Sequence, residues 1–318
     1  MTTLSTTQVC QACRSWTYHR HVPQSISTVS VVIPALNAAG TLAEQLAALR
    51  EQVGAPAFTT IVVDNGSTDS TLAIVHSFAD AGMDIRVVNE PVRGINRARN
   101  AGVAATPDGS VVLICDADDV VSTAWVAELS ATVSTKTWGA GPLEFARLNS
   151  PRTRSLWGGA DVMDLPGPTP FRDTGHGSNC GFTKSMWSEL GGFALDVVGH
   201  GDETEFFHRA WGAGFRLQWA PEAIVHHRQR DSATEMLKRR YKQGAAQARL
   251  ANRPGYPAEA PRYRLGGVLK SALVAGARAV VSPVTRAPGW TLLGTVALNA
   301  GRCRGLATRQ ALRGEVAK

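Results

Sequence analysis

The chain has 318 residues, 44% of them apolar and 19% charged, with 31 Gly and 16 Pro. This fits one large α/β domain with an appendage and excludes collagen-like and disordered chains. The net charge of +7 is unevenly divided: residues 235–318 hold 16 Lys and Arg against 3 Asp and Glu, a net of +13, whereas residues 1–234 hold 17 against 23, a net of −6. No charge-free run of 18 apolar residues occurs, which argues against an ordinary membrane-spanning helix. The first 30 residues lack the apolar centre of a secretory signal.

Residues 1–27 are polar and without period, and read as a mobile tail. Within them lies the cluster Cys10, Cys13, His19 and His21, whose Cys-x-x-Cys half resembles a zinc knuckle but whose His-x-His half has the wrong spacing for the usual fingers. Five scattered cysteines do not make a disulfide framework, so a reducing cytoplasm is the expected compartment. The first strand is Val29 to Ile33, stopped by Pro34. A helix follows over Thr41 to Val53, with Thr41 and Glu44 spaced as a capping box. Thr60 to Val63, Ile85 to Val88 and Val111 to Ile114 are further strands, alternating with helices over Asp69 to Ala79 and Asn96 to Ala105. That alternation predicts a mostly parallel sheet covered on both faces.

Beyond Asp119 a helix is expected over Ala124 to Val133 and an extended segment over Gly139 to Leu148. Residues 149–181 show no period and read as a functional loop. Helices are expected again over Thr183 to Leu190 and from Asp202 to Trp211, with short extended pieces at Phe215 to Trp219 and Ala223 to His227. The domain boundaries predicted are a tail over 1–27, a catalytic body over 28–234 and a basic helical segment over 235–318.

In an open parallel sheet, ligands bind beyond the carboxyl ends of the strands. Those ends carry Asn37, then Asp64-Asn65-Gly66-Ser67-Thr68-Asp69, then Asn89 to Gly94, then Asp116-Ala117-Asp118-Asp119. Asp116 and Asp118, two apart at a strand end, can face one cleft, where a hard divalent cation removes their mutual repulsion. No phosphate-binding glycine loop of the P-loop or dinucleotide type is present.

The ordered series Val31-Val32-Ile33-Pro34-Ala35-Leu36-Asn37, Val62-Val63-Asp64-Asn65-Gly66-Ser67-Thr68-Asp69, Ala98-Arg99-Asn100-Ala101-Gly102 and Asp116-Ala117-Asp118-Asp119 resembles the family 2 inverting glycosyltransferases of the GT-A fold. Gly191-Gly192-Phe193 and Gly201-Asp202-Glu203-Thr204-Glu205-Phe206 resemble that family's acceptor-side motifs. The resemblance covers about residues 29–228. It implies an α/β GT-A sheet flanked by helices and a nucleotide-sugar donor.

By that resemblance Asp64, helped by Pro34 and Asn37, contacts the nucleotide. Arg93 and Arg99 lie near nucleotide contacts, although Arg99 could equally brace its helix. Asp116 and Asp118 correspond to the metal and diphosphate motif, with Asp118 the direct ligand of Mg²⁺ or Mn²⁺. His227 reaches the metal or diphosphate, with His226 its rival because neighbours on a strand face opposite ways. The family's base is usually the second acid of a Glu-Asp pair. Here Glu203 holds that position and Asp202 the usual side chain, with Glu205 on the same helix start. Leu36 stands where the family often has an aromatic. Trp157, Phe171, His176 and Asn179 fall in the segment expected to roof the acceptor.

The expected acceptor is a glycan or lipid-linked hydroxyl, in envelope glycan or glycolipid assembly. The basic segment contains Lys238-Arg239-Arg240-Tyr241-Lys242, and apolar stretches over Leu265 to Val281 and Trp290 to Leu298 near Lys270, Arg278 and Arg286. It reads either as interfacial helices on an anionic membrane or as a packed helical subdomain. The expected location is cytoplasmic, free or peripheral on the inner face of the plasma membrane. A nucleotidyltransferase also uses paired Asp and a metal. A basic-tailed nucleic-acid binder is the non-enzymatic alternative, but no recognition motif supports it and no nucleic acid partner is expected.

Overall fold

The computed structural model describes residues 28–164, 175–197, 200–251, 253 and 293–305. Cys10, Cys13, His19, His21, Phe171, Lys270, Arg278 and Arg286 lie outside the described residues. The first half alternates β1 (Val29–Ala35), α1 (Leu42–Arg50), β2 (Phe58–Asp64), α2 (Thr71–Asp80), β3 (Ile85–Asn89), α3 (Ile95–Ala104) and β4 (Val111–Ile114). Then come β5 (Val120–Val121), α4 (Trp125–Ala131), β6 (Thr137–Ala140), β7 (Leu143–Glu144), α5 (Pro151–Trp157) and β8 (Val162–Met163). The chain continues through β9 (Cys180–Thr183), α6 (Lys184–Glu189), α7 (Asp202–Gly212), β10 (Arg216–Trp219), β11 (Val225–His226) and α8 (Ala233–Leu250). Residues 293–305 are also helical and are labelled α9.

Seven strands form one sheet in the order β10-β6-β9-β4-β1-β2-β3, parallel except for β9, which runs antiparallel to β4 and β6. A second sheet has the order β5-β11-β7-β8. Successive residues of the central strands feed opposite cores. Val31, Ile33, Val62 and Leu113 join the core beneath α1, α2 and α4. Val32, Ile61, Val63, Val112 and Ile114 join the core of α3, α6 and α7. Burial on both faces is why these strands read as unbroken apolar runs.

Several expectations need correction. Pro34 does not stop β1, which continues to Ala35 and pairs Pro34 with Val63 of β2. Its alternate residues bond to β4, as Cys115 N–H does to the Val32 carbonyl. At Pro34 the β4 ladder has already ended, so the missing N–H leaves nothing unpaired. The Thr41–Glu44 capping box is not formed. The Thr41 hydroxyl donates instead to the Ala117 carbonyl at 3.0 Å, and Glu44 accepts from Arg228 at 2.9 Å. Helix α1 ends at Arg50, short of Val53.

The expected segment over Gly139 to Leu148 is two strands in different sheets, split at Gly141, where a Cβ would lie 2.2 Å from the Ala223 carbonyl oxygen. The aperiodic stretch 149–181 contains α5, β8 and the start of β9. Ser150 caps α5 by accepting the Thr153 N–H, and Pro151 occupies its first turn, a start signal hidden by the shortness of the helix.

Helix α3 sits directly on the sheet. A Cβ on Gly102 would lie 2.4 Å from Val32 Cγ1 and 2.8 Å from Val63 Cγ2, so only glycine permits this approach. The opposite, polar face of α3 holds the segment leading to α7. Asn100 accepts the Phe193 N–H at 2.8 Å and donates to the Phe193 carbonyl at 2.9 Å. Asn96 donates to the carbonyls of Ala194 and Val197. The motif Ala98 to Gly102 therefore joins the sheet to the elements on its far side.

Candidate active site

The carboxyl ends of β1, β2 and β3 are tied into one rim. Asn37, in the left-handed region at φ 51°, donates its N–H to Ser67 Oγ at 3.0 Å and accepts the Thr68 N–H at 2.8 Å. Asp64 is buried and its Oδ1 accepts the Ser67 N–H at 3.1 Å. Asn65 bridges to the next strand end, donating to the Glu90 and Val92 carbonyls and accepting the Gly94 N–H. Arg93 is exposed and reaches back over this loop, its Nη2 3.4 Å from the Gly66 carbonyl oxygen. Leu36 is 42% exposed beside them. Pro34, Asn37, Asp64 and Arg93 thus share one edge of the sheet.

After β4 the chain presents Asp116, Asp118 and Asp119, with one carboxylate oxygen from each lying within 4.8 Å of the others. Their environments differ. The Asp119 side chain is fully buried and committed, accepting from His227 Nδ1 at 2.8 Å and from the Arg228 N–H at 2.9 Å. The Asp116 and Asp118 side chains are 29% and 40% exposed. Asp116 Oδ1 is buried and accepts no hydrogen bond, its nearest cation being Arg99 Nη2 at 3.6 Å. Burial, opposed by Arg99 and reinforced by Asp119 and Asp118, pushes the Asp116 carboxyl up to about 6. Burial and the charge of Asp119 also raise Asp118. Crowded carboxylates with unused lone pairs are the donor set of a hard divalent cation, so these residues fit Mg²⁺ or Mn²⁺.

His227 joins that set through Asp119, which holds its Nδ1 and leaves Nε2 as the nitrogen for a ligand. Burial disfavours its charged form, but the charge and hydrogen bond of Asp119 outweigh this and raise its pKa. His226 is turned elsewhere, its Nδ1 2.6 Å from Glu144 Oε2. The fourth strand end is closed by Arg228, which donates from Nε to the Asp118 carbonyl at 3.1 Å, and by Arg230, 3.8 Å from Asp118 Oδ2.

Arg99 does not lie on the rim formed by the ends of β1, β2 and β3. Its guanidinium is buried, pairs with Asp202 at the start of α7, and lies 5.7 Å from the Phe193 ring centre. A Cβ on Gly177 would come within 2.8 Å of its Nη2, so the surrounding backbone is packed on it. Burial disfavours its charge, but Asp202, Asp116 and Glu203 hold it firmly protonated. Of the two candidate bases, Asp202 is occupied by this pair. Glu203 instead lines a cavity of about 340 Å³ together with His176, His227 and Trp157. Burial, then the neighbouring Asp202, pushes the Glu203 carboxyl up to about 8. Glu205 faces away, held by Arg209 at 2.8 Å.

Asn179, expected near the acceptor, is a structural knot. It accepts from Trp125 Nε1 and donates to the carbonyls of Pro142 and Ala223. Trp157 and His176 do reach the cavity, and burial lowers His176 to about 4, leaving it neutral. Sequence reasoning missed Asp119, Arg228 and Arg230. The first follows directly on the Asp116-Ala117-Asp118 motif. The other two follow His227 in the string His226-His227-Arg228-Gln229-Arg230, a signal legible in hindsight.

A mostly parallel sheet flanked by helices, with an acidic cluster after β4, is the arrangement of the GT-A fold. The fold of the mannosyltransferase PcManGT of Pyrobaculum calidifontis, solved in complex with GDP-Man and Mn²⁺, superposes with a TM-score of 0.62 at 21% identity, over 87% of this chain and 86% of that one. The family model for glycosyl transferase family 2 matches residues 30–137. The glycosyltransferase AglE of Haloferax volcanii is 25% identical over 226 residues, covering 70% of this chain and 73% of that one. The succinoglycan biosynthesis protein ExoM of Rhizobium meliloti is 29% identical over 199 residues, 60% and 64% of the two chains. The pre-mycofactocin glycosyltransferase of Mycobacterium tuberculosis is 28% identical over 255 residues, which is 76% of this chain but 51% of that one. The match thus spans between half and three quarters of these relatives. Residues 30–137 are thus similar to family 2 glycosyltransferases, and the relatives matched over more of the chain are named glycosyltransferases rather than nucleotidyltransferases or nucleic-acid-binding proteins.

The Arg99 pairing has a measurable consequence. Arg99→Ala leaves Asp202 buried without its cation and is expected to cost about 3–5 kcal/mol of stability. Chemical denaturation reads this directly, and an unchanged midpoint in the variant would show that the pair does not support the fold.

Proposed function

We propose that this protein transfers a sugar from a nucleotide-diphosphate donor to an acceptor hydroxyl with inversion, in a metal-dependent reaction. The observation that carries this reading is that Glu203 and His227 line one cavity, while His227 is held by an aspartate of the acidic cluster. Asp64, Pro34, Asn37 and Arg93 form the rim that would bind the nucleotide. Asp116, Asp118 and His227 Nε2 would hold Mg²⁺ or Mn²⁺, which when bound supplies positive charge against the leaving diphosphate. Glu203 takes the proton of the attacking hydroxyl, a role that needs a carboxylate within hydrogen-bond reach of the acceptor. Asp202 is a positioning residue in this reading, since its carboxylate is paired with Arg99.

The acceptor is read as a glycan or lipid-linked hydroxyl used in envelope assembly, with the protein cytoplasmic and peripheral on the membrane. Among the described residues no helix is long and apolar enough to cross a bilayer. Support for a surface association is the net charge of +13 in residues 235–318 and the exposure of Lys238, Lys242 and Arg249 on α8.

Three measurements test this reading. Chelation of divalent ions should abolish transfer, and Asp118→Asn should come close to abolishing it while remaining folded. Full activity in chelator removes the metal from the mechanism. Because the Glu203 carboxyl is raised to about 8, it is mostly protonated at neutral pH. Turnover should therefore rise with pH and level off above about 8. Glu203→Gln should lower turnover by about 10²–10⁴ and remove this limb. A near-normal Glu203→Gln enzyme beside a crippled Asp202→Asn enzyme would reverse the assignment. Finally, the full-length chain should sediment with anionic vesicles at low salt and less at high salt; indifference to the vesicles argues for a soluble acceptor.

A further inference from the structure

The cavity that contains Glu203 has a second wall that the reaction does not use. It is built by α8, the first element of the basic segment, through Arg239, Arg240, Gln243, Ala246, Gln247 and Leu250. This wall is docked firmly. Leu250 packs against Gly201, where a Cβ would meet Leu250 Cδ1 at 2.5 Å, and Arg253 pairs with Asp196 at 2.6 Å. Behind it, α9 packs closely on α8, since a Cβ on Gly301 would lie 1.9 Å from the Tyr241 carbonyl oxygen. The position of the two arginines is thus set by the fold.

Arg239 and Arg240 both lie against one aromatic ring, with their guanidinium carbons 5.6 Å and 5.7 Å from the ring centre of Trp157. Arg240 donates to the Trp157 carbonyl and to Gln243 Oε1, each at 3.4 Å. Among the described residues neither arginine forms an ion pair with a carboxylate, and Arg239 donates no hydrogen bond. Both are half-buried. Burial, then the like charge of Arg239, lowers the pKa of Arg240. Two adjacent, partly desolvated cations repel each other and have no counter-charge paired with them among the described residues. Among the described residues that line the cavity the one carboxyl is Glu203, which is mostly neutral at pH 7 by the shift described above.

Guanidinium groups are forks matched to phosphate and carboxylate oxygens, and a pair of them best suits the higher charge of phosphate. From this geometry we infer that Arg239, Arg240 and Trp157 form a phosphate-binding subsite for the acceptor, placing an acceptor phosphate on the α8 wall while its hydroxyl faces Glu203. The inference deepens the proposed transfer and rests on it for the identity of the bound molecule as acceptor. The phosphate can belong to a lipid carrier or to a soluble glycan phosphate, since both present the same group.

The full-length protein is titrated with decyl phosphate and with glucose 1-phosphate in chelator, so that the acidic cluster holds no metal, and binding is read by calorimetry. Wild type should bind at least one probe. Arg239→Gln should weaken it about tenfold or more, the scale of one charge-assisted contact, and Arg240→Lys by less because charge is kept. Arg239→Lys, which keeps the charge but not the fork, serves as the second variant should Arg239→Gln fail to fold, and should also bind more weakly than wild type. A preference for decyl phosphate assigns the phosphate to a lipid, and a preference for glucose 1-phosphate assigns it to a soluble glycan; either supports the subsite. The subsite is overturned if wild type binds neither probe, if the folded variants bind as wild type does, or if the variants lose only nucleoside diphosphate binding in Mn²⁺. Binding of GDP and UDP with Mn²⁺ to wild type is measured in parallel. If both fail while the phosphate probes bind, the proposed transfer falls and the anion site stands.

Discussion

The buried guanidinium of Arg99 ties the two halves of the site together. It rises from α3 between Asp202, at the start of α7, and Asp116, after β4. A cation between two carboxylates in a low-dielectric interior fixes three elements at once, because displacing any of them strands a charge. The consequences spread outward. With Asp202 occupied, the next acid, Glu203, is the one turned to the cavity. With Asp116 neutralised on one side only, its remaining lone pairs are left beside Asp118.

Arg99 can do this because α3 lies so close to the sheet. Gly102 lets the helix rest on Val32 and Val63, and Asn96 and Asn100 on its polar face hold the segment from Phe193 to Val197. The same pattern of a committed partner recurs at the other side of the cavity. Asp119 spends both oxygens on His227 and Arg228, orienting the imidazole and anchoring the strand that follows. His227 is thus held by a neighbour whose two carboxylate oxygens are both committed.

The central strands were legible because burial on both faces leaves a continuous β-branched signal, and β4 was bounded correctly at Val111 and Ile114. The strand-end rule alone brings Asn37, Asp64, Arg93 and Asp116 to one edge. What misled was local chemistry read without its neighbours. Pro34 reads as the stop of the β-branched run, and only the strand order shows that nothing stands opposite its missing N–H. Thr41 and Glu44 looked like a capping box, but both side chains found better partners in distant segments. Helix α5 and strand β9 were lost in a stretch too short and too rich in glycine to show a period.

The sequence by itself determined the fold class and the residue types gathered at the carboxyl edge of the sheet, since these depend on periodicity and on the order of strands along the chain. It also placed Glu203 and Asp202 side by side without separating their roles. Only the tertiary structure decided that Asp202 answers Arg99, 103 residues away, that His227 and not His226 meets Asp119, and that α8 closes the cavity with Arg239 and Arg240. A charged side chain's function is set by the partner that neutralises it, and that partner comes from whichever distant segment the packing brings within a few ångströms.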